Sequence, residues 1–251
     1  MKRQPLIAGN WKMNMTEAEA IALVRTLMQR TRSYRGVDVL VCPPFTALSQ
    51  LHKLLVSSPI LLGAQNISHQ QAGAYTGEIS GAMAAEFCSH VILGHSERRN
   101  VYGEDDQLIN QKVKAARRSG LIPVLCLGES LQERESGSTA EVLSRQLRSA
   151  IAGLILTDPG ALVIASEPVW AIGTGMSADP EQISELIGTV LRPALIDLGD
   201  DLSQGIRVLY GGSVKPSNAR RFFGQPEIDG ALVGGASLDA EQFLSIIEAA
   251  L

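Results

Sequence analysis

The residues best suited to chemistry are a carboxylate and a histidine, each placed where a buried strand runs out. Glu167 follows the apolar run Ala161-Leu162-Val163-Ile164-Ala165 almost directly. A carboxylate there must be desolvated, which costs free energy and calls for a function. It is followed by Pro168, Trp170, Gly173 and Gly175. Stiff residues then glycines are the composition of a loop that moves as a block and excludes water, so Glu167 reads as a proton-transfer group beneath it. The plain alternative is a surface loop whose glutamate does nothing. His95 ends another apolar run and precedes Ser96-Glu97-Arg98-Arg99, which reads as the start of a short helix. A helix N-terminus disfavours imidazolium and leaves a neutral ring able to donate a hydrogen bond, although an isolated histidine here reads first as a satisfied core residue. Lys12 lies two residues beyond Asn10, on the same face of an extended chain; a lone lysine there reads first as a solvated surface charge. Glu97 is placed either to pair with Lys12 or to act as an ordinary first-turn acid.

These groups need a scaffold. Strand-like apolar runs span Leu6–Trp11, Val37–Cys42, Ile60–Ala64, Val91–Leu93, Ile122–Leu127, Leu162–Ser166, Ile206–Tyr210 and Gly230–Val233. Amphipathic stretches separate them: Thr16–Arg32, Phe45–Val56, Gly81–Phe87, Asp105–Arg118, Thr139–Leu154, Pro180–Leu198, Pro216–Phe223 and Ala240–Ala250. Several open on capping signals, such as Thr16 before Glu19 and Asp179 before Pro180. Continuous apolar strands alternating with helices imply a parallel sheet covered on both faces. Eight such units in 251 residues predict an α/β protein, a closed (β/α)₈ barrel, over residues 1–251 as one domain. An open doubly wound sheet is the alternative, but no Gly-x-Gly-x-x-Gly follows the first strand. Polar residues and glycines gather at the C-terminal strand ends, and the opposite ends offer nothing comparable.

Bulk properties narrow the partners. A net charge of −4 gives no footprint for nucleic acid, although backbone amides can still bind a small anion. Cys42, Cys88 and Cys126 are far apart, odd in number and without metal-ligand spacing, so they read as buried free thiols in a reducing compartment. No apolar stretch follows the basic N-terminus, which predicts a cytoplasmic protein with neither leader nor membrane span.

Ala8-Gly9-Asn10-Trp11-Lys12-Met13-Asn14, Gly94-His95-Ser96-Glu97, Ser166-Glu167-Pro168-Val169-Trp170-Ala171-Ile172-Gly173, Tyr210-Gly211-Gly212-Ser213 and Gly234-Gly235-Ala236-Ser237-Leu238 occur in order across nearly the whole chain. Together they resemble the triosephosphate isomerase family. The resemblance implies a TIM barrel that interconverts dihydroxyacetone phosphate and D-glyceraldehyde 3-phosphate through an enediol(ate), in glycolysis and gluconeogenesis, with neither metal nor cofactor. It implies Glu167 as base, His95 as neutral electrophile (an assignment for which this family is a standard example), and Lys12 and Asn10 as substrate-holding groups. Gly173, Ser213, Gly234 and Gly235 would hold the phosphate. Tyr210 and Ser213 would meet the loop near Ala178 and Gly175, and Glu129 would meet Trp170. The polar connection Gln65–Ile79 would enter a twin subunit, with Thr76 near the partner's Asn10 and Lys12, giving a homodimer. Two positions depart from the family pattern: Ser166 stands where a tyrosine is usual, and Met176 where a lysine is usual. The first predicts lost packing behind the strand, the second altered loop kinetics. A Schiff-base aldolase using Lys12 and a barrel kept only for binding are the other readings.

Overall fold

A computed structural model describes residues 3–172 and 178–251. Eight parallel strands close on themselves in sequence order. They are β1 (Leu6–Asn10), β2 (Asp38–Cys42), β3 (Ile60–Ala64), β4 (His90–Leu93), β5 (Ile122–Leu127), β6 (Val163–Ser166), β7 (Arg207–Tyr210) and β8 (Gly230–Val233). The ring shuts where Leu6 to Gly9 of β1 register with Gly230 to Val233 of β8. Alternation along each strand then sorts the apolar residues into two cores. Leu6, Ala8, Leu40, Ile92, Val124, Val163, Ala165 and Leu209 fill the inside of the ring. Ile7, Trp11, Val39, Val41, Leu125 and Ile164 pack outward under the helices. That is why both faces of every strand had to be apolar.

The expected helices form, with instructive differences. Thr16 caps Glu17–Thr31 through a reciprocal capping box with Glu19. The stretch after Pro180 is not one regular helix. Pro180–Leu186 passes into a π-helical turn, Ile187–Leu191, then Arg192–Leu195 and a 3₁₀ turn, Ile196–Leu198. The cause is Pro193, which has no N–H and crowds the preceding turn. The ladder widens so that the Arg192 N–H reaches Ile187 O, one residue further back than in an α-helix. The helix expected from Pro216 starts only at Ala219. Asn218 holds the chain in a turn first, its Oδ1 accepting from Lys215 N at 2.8 Å. The short helix Asp200–Gly205 had no counterpart among the expected elements.

The N-terminal end of the barrel corrects a second expectation. It carries its own buried polar network. Arg192 donates to Ser203 O, Ile206 O and Asp229, Arg3 to Asp229 at 2.7 Å, and Arg207 to Asp38 at 2.6 Å. Glu227 also pairs with Arg3 and Arg192, so three arginines face three carboxylates and each charge has an opposite partner.

Candidate active site

Glu167 is the residue after β6 and continues its inward alternation beyond Val163 and Ala165. It is only 2% exposed. Its N–H donates to Leu127 O at 2.6 Å. One carboxyl oxygen accepts from Ser96 N at 3.2 Å, and the other lies 3.4 Å from His95 Nε2. Gly211 makes room for it. A Cβ on Gly211 would stand 2.5 Å from Glu167 Cγ.

His95 needs a break in the strand to reach this position. Ile92 of β4 faces inward, so regular alternation would aim residue 95 at the helices. Gly94 has φ +69°, a left-handed conformation that re-aims the chain. His95 then caps the helix Ser96–Asn100, its Nδ1 accepting from the Glu97 N–H at 3.2 Å. A backbone N–H can only donate. Nδ1 therefore holds a lone pair, and a neutral ring carries its proton on Nε2, the nitrogen that faces Glu167.

Lys12 arrives by a route the two-residue period does not describe. The strand ends at Asn10, and Lys12 has φ +53°. Left-handed geometry is strained for a side chain of this kind. Two side chains hold it. Asn10 Oδ1 accepts from Lys12 N at 3.1 Å, and Gln65 Nε2 donates to Lys12 O at 2.8 Å. Lys12 Nζ then reaches Glu97 Oε1 at 2.6 Å, so the pairing alternative for Glu97 is the one that forms. An amine engaged this way is an ammonium ion, which disfavours Schiff-base chemistry.

Asn10, Lys12, His95, Glu167, Ser213, Gly234 and Gly235 line one cavity of about 370 Å³ at the C-terminal mouth of the barrel. Gly234 and Gly235 open the 3₁₀ turn after β8, and a Cβ on Gly235 would meet nothing within 4 Å. Gly173, Gly175 and Met176 lie outside the described residues. Thr76 does not line the cavity. It sits on the exposed run Gln71–Glu78. Around the mouth, Trp170 Nε1 donates to Glu129 Oε1 at 2.9 Å and Ala178 N to Tyr210 Oη at 3.3 Å. Burial raises the Glu129 carboxyl above its ordinary range, against the Trp170 hydrogen bond. Ser166 is buried on the other side of β6 from Glu167, so the departure there is a packing change. Cys42, Cys88 and Cys126 are buried free thiols. Among the described residues, no group of three His, Cys, Asp or Glu could hold a metal ion, and no helix is long and apolar enough to cross a membrane.

Residues 5–250 match the family model described as "Triosephosphate isomerase". The chain belongs to the triosephosphate isomerase family. It is 48% identical over 251 residues to the triosephosphate isomerase of Carboxydothermus hydrogenoformans, covering 99% of this chain and 100% of that one. It is 48% identical over 244 residues to that of Dehalococcoides mccartyi, covering 97% and 95%. The crystal structure of triosephosphate isomerase from Bartonella henselae superposes with a TM-score of 0.89 at 40% identity, covering 98% of both chains. Membership of the triosephosphate isomerase family removes the aldolase and binding-only readings. Three supporting residues escaped the sequence reading: Gln65, Ser96 through its N–H, and Gly211. Gln65 and Gly211 each follow a strand end, and that position was the signal that could have found them.

Proposed function

We propose that Glu167, His95, Lys12 and Asn10 are the catalytic groups of this isomerase, and that Gly173, Ser213, Gly234 and Gly235 grip the substrate phosphate. The chain interconverts dihydroxyacetone phosphate and D-glyceraldehyde 3-phosphate, a glycolytic reaction, by proton transfer through an enediol(ate). The observation carrying the assignment is the 3.4 Å approach of His95 Nε2 to Glu167 Oε1 within a cavity that Lys12 also lines.

On this reading substrate enters between the two groups. That gap is too small for a carbon chain, so the carboxyl must leave the Ser96 N–H as substrate binds. Glu167 then removes a proton from the carbon beside the carbonyl. The C–H electron pair moves to the C–C bond, and the carbonyl oxygen becomes an oxyanion held by His95 Nε2–H and the Lys12 ammonium. The proton of the neighbouring hydroxyl passes to that oxyanion by way of His95 Nε2, and the proton held by Glu167 returns to the former carbonyl carbon, which completes the exchange of ketone and aldehyde. No metal or organic cofactor takes part in this scheme. The phosphate lies on the backbone amides after β7 and β8, where glycines permit close approach.

We also infer a cytoplasmic, one-domain protein that works as a homodimer. Met13, Tyr75, Met83, Val101 and Tyr102 are large apolar side chains left exposed. Met13 adjoins Lys12, and Tyr102 stacks on Arg98 beside Glu97, so the surface carrying these two borders the site. A second copy covering it through Gln65–Ile79, with Thr76 near the partner's site, accounts for such exposure. A coupled assay with triose phosphate, run beside Glu167→Gln, tests the roles. A fall of about 10³-fold in kcat is expected, and a Gln variant as fast as the parent would refute them. Full turnover from a diluted monomer would refute the dimer.

A further inference from the structure

Gln146 lies on the helix Thr139–Ile151, far from the cavity mouth in sequence and absent from its lining. It is nonetheless buried, at 6% exposure, and its carboxamide is fully committed to one residue. Gly128 N donates to Gln146 Oε1 at 2.9 Å, and Gln146 Nε2 donates to Gly128 O at 3.1 Å. The side chain thus closes the hydrogen-bonding edge of β5 one residue past its end, as a further strand residue would.

Gly128 in turn lies flat on the main chain of Glu167. A Cβ there would stand 1.7 Å from Glu167 O and 3.3 Å from Glu167 Cβ. The residues flanking Gly128 grip both sides of the same segment. Leu127 O accepts from Glu167 N at 2.6 Å, and Glu129 O accepts from Val169 N at 3.1 Å. Gln146, Gly128 and Glu167 also line a second cavity, of about 280 Å³. Free movement of residues 127–129 into that space would carry the Glu167 backbone with it.

We propose that Gln146 is a positioning residue for the catalytic carboxylate, acting through Gly128. The inference rests on Glu167 being the base. Removing both hydrogen bonds without removing volume loosens the Glu167 backbone, and a displacement of about 1 Å costs up to about 10²-fold in rate. Substrate binding is largely left alone, because three of the four proposed phosphate groups, Ser213, Gly234 and Gly235, follow β7 and β8.

The test uses Gln146→Met and Gln146→Glu beside the parent chain. Gln146→Met is expected to lower kcat about 10- to 100-fold, with KM and the affinity for inorganic phosphate within about twofold. Gln146→Glu supplies a readout that a merely structural role would not move. As a carboxylate it has no donor for Gly128 O, whereas protonated it has one donor and one acceptor like the amide. Its kcat relative to the parent is therefore expected to rise about fivefold or more between pH 8 and pH 5.5, because burial favours the neutral acid. The same ratio for Gln146→Met stays flat. A Gln146→Met kcat within twofold of the parent overturns the proposal, as does a parallel loss of phosphate affinity or a flat Gln146→Glu ratio. If Gln146→Met does not fold, the Gln146→Glu ratio decides alone. A fully active Glu167→Gln would instead sink the assignment of the base, which separates the two failures.

Discussion

Gly211→Ala is expected to cripple turnover while leaving the fold intact. The added Cβ would stand 2.5 Å from Glu167 Cγ, and 3.3 Å from Ser166 O on the other side. Ordinary contacts of this kind begin at 3.4 Å, so the shortfall is 0.9 Å (3.4 − 2.5). Neither neighbour yields easily. Cγ is one bond from the anchored Cβ, and Ser166 O accepts from Gly211 N at 2.7 Å. The carboxyl must therefore move by nearly 1 Å. A misplacement of that size costs about 10²-fold in kcat, or about 2.7 kcal/mol of barrier. The overpacking itself should remove about 1–3 kcal/mol of stability. The assay is steady-state isomerisation with urea unfolding alongside. Gly188→Ala is the control, since its Cβ would meet only Glu227 Cγ, at 3.6 Å. It should keep full activity. A Gly211→Ala enzyme within about threefold of the parent kcat would refute the reasoning, because Glu167 would then tolerate a displacement that proximity arguments forbid.

Other variants probe the two ends of the barrel. Lys12→Met removes the cation at the mouth and should lower kcat/KM at least about 10²-fold, read in the same assay. Glu104 accepts from both Arg98 at 2.7 Å and the buried Lys112 at 2.5 Å, so Glu104→Ala leaves an unpaired buried ammonium and should cost about 3–5 kcal/mol in urea unfolding. Burial pushes His90 down to about 4, with Arg207 adding to the shift and Asp38 opposing it. A histidine whose folded value lies below its unfolded value of about 6.5 takes up its proton on unfolding. Its contribution is therefore present above pH 6.5 and lost as pH falls toward 4, about 3 kcal/mol in all. Unfolding free energies measured from pH 7 to pH 4 should fall less steeply in His90→Gln than in the parent, and equal slopes would count against the burial argument.

The strands were legible because each must be apolar on both faces, a demand that few other architectures make. β3, β5 and β8 begin and end where the apolar runs do, and the remaining strands differ only at their ends. Glu167 was legible for a related reason: a charge directly beyond a buried run is costly to place there. His95 lines the cavity as the end of its apolar run suggested, but its direction depends on the left-handed Gly94, which no apolar pattern announces. Lys12 reached the expected place for a reason other than the expected one. Alternation stops at Asn10, and Asn10 and Gln65 hold Lys12 in a strained conformation. The π-helical turn before Pro193 was hidden as well, because the apolar spacing of that stretch fits a regular helix and only the missing N–H disturbs it.

The two ends of the barrel explain why composition alone could not separate chemistry from stability. Both carry buried carboxylates, cations and a histidine. At the N-terminal end, Asp229 receives Arg3 and Arg192, and Arg207 finds Asp38, so each charge is spent within the protein. At the C-terminal end, no lysine or arginine forms an ion pair with Glu167 among the described residues, and one of its oxygens accepts from a backbone N–H. Lys12 is held by one carboxylate that is itself half exposed. Groups left incompletely satisfied around a cavity are available to bind an oxyanion and a moving proton, whereas the pairs at the N-terminal end are already matched to one another. Pairing, which depends on which residues the fold brings together, is what distinguishes the two ends.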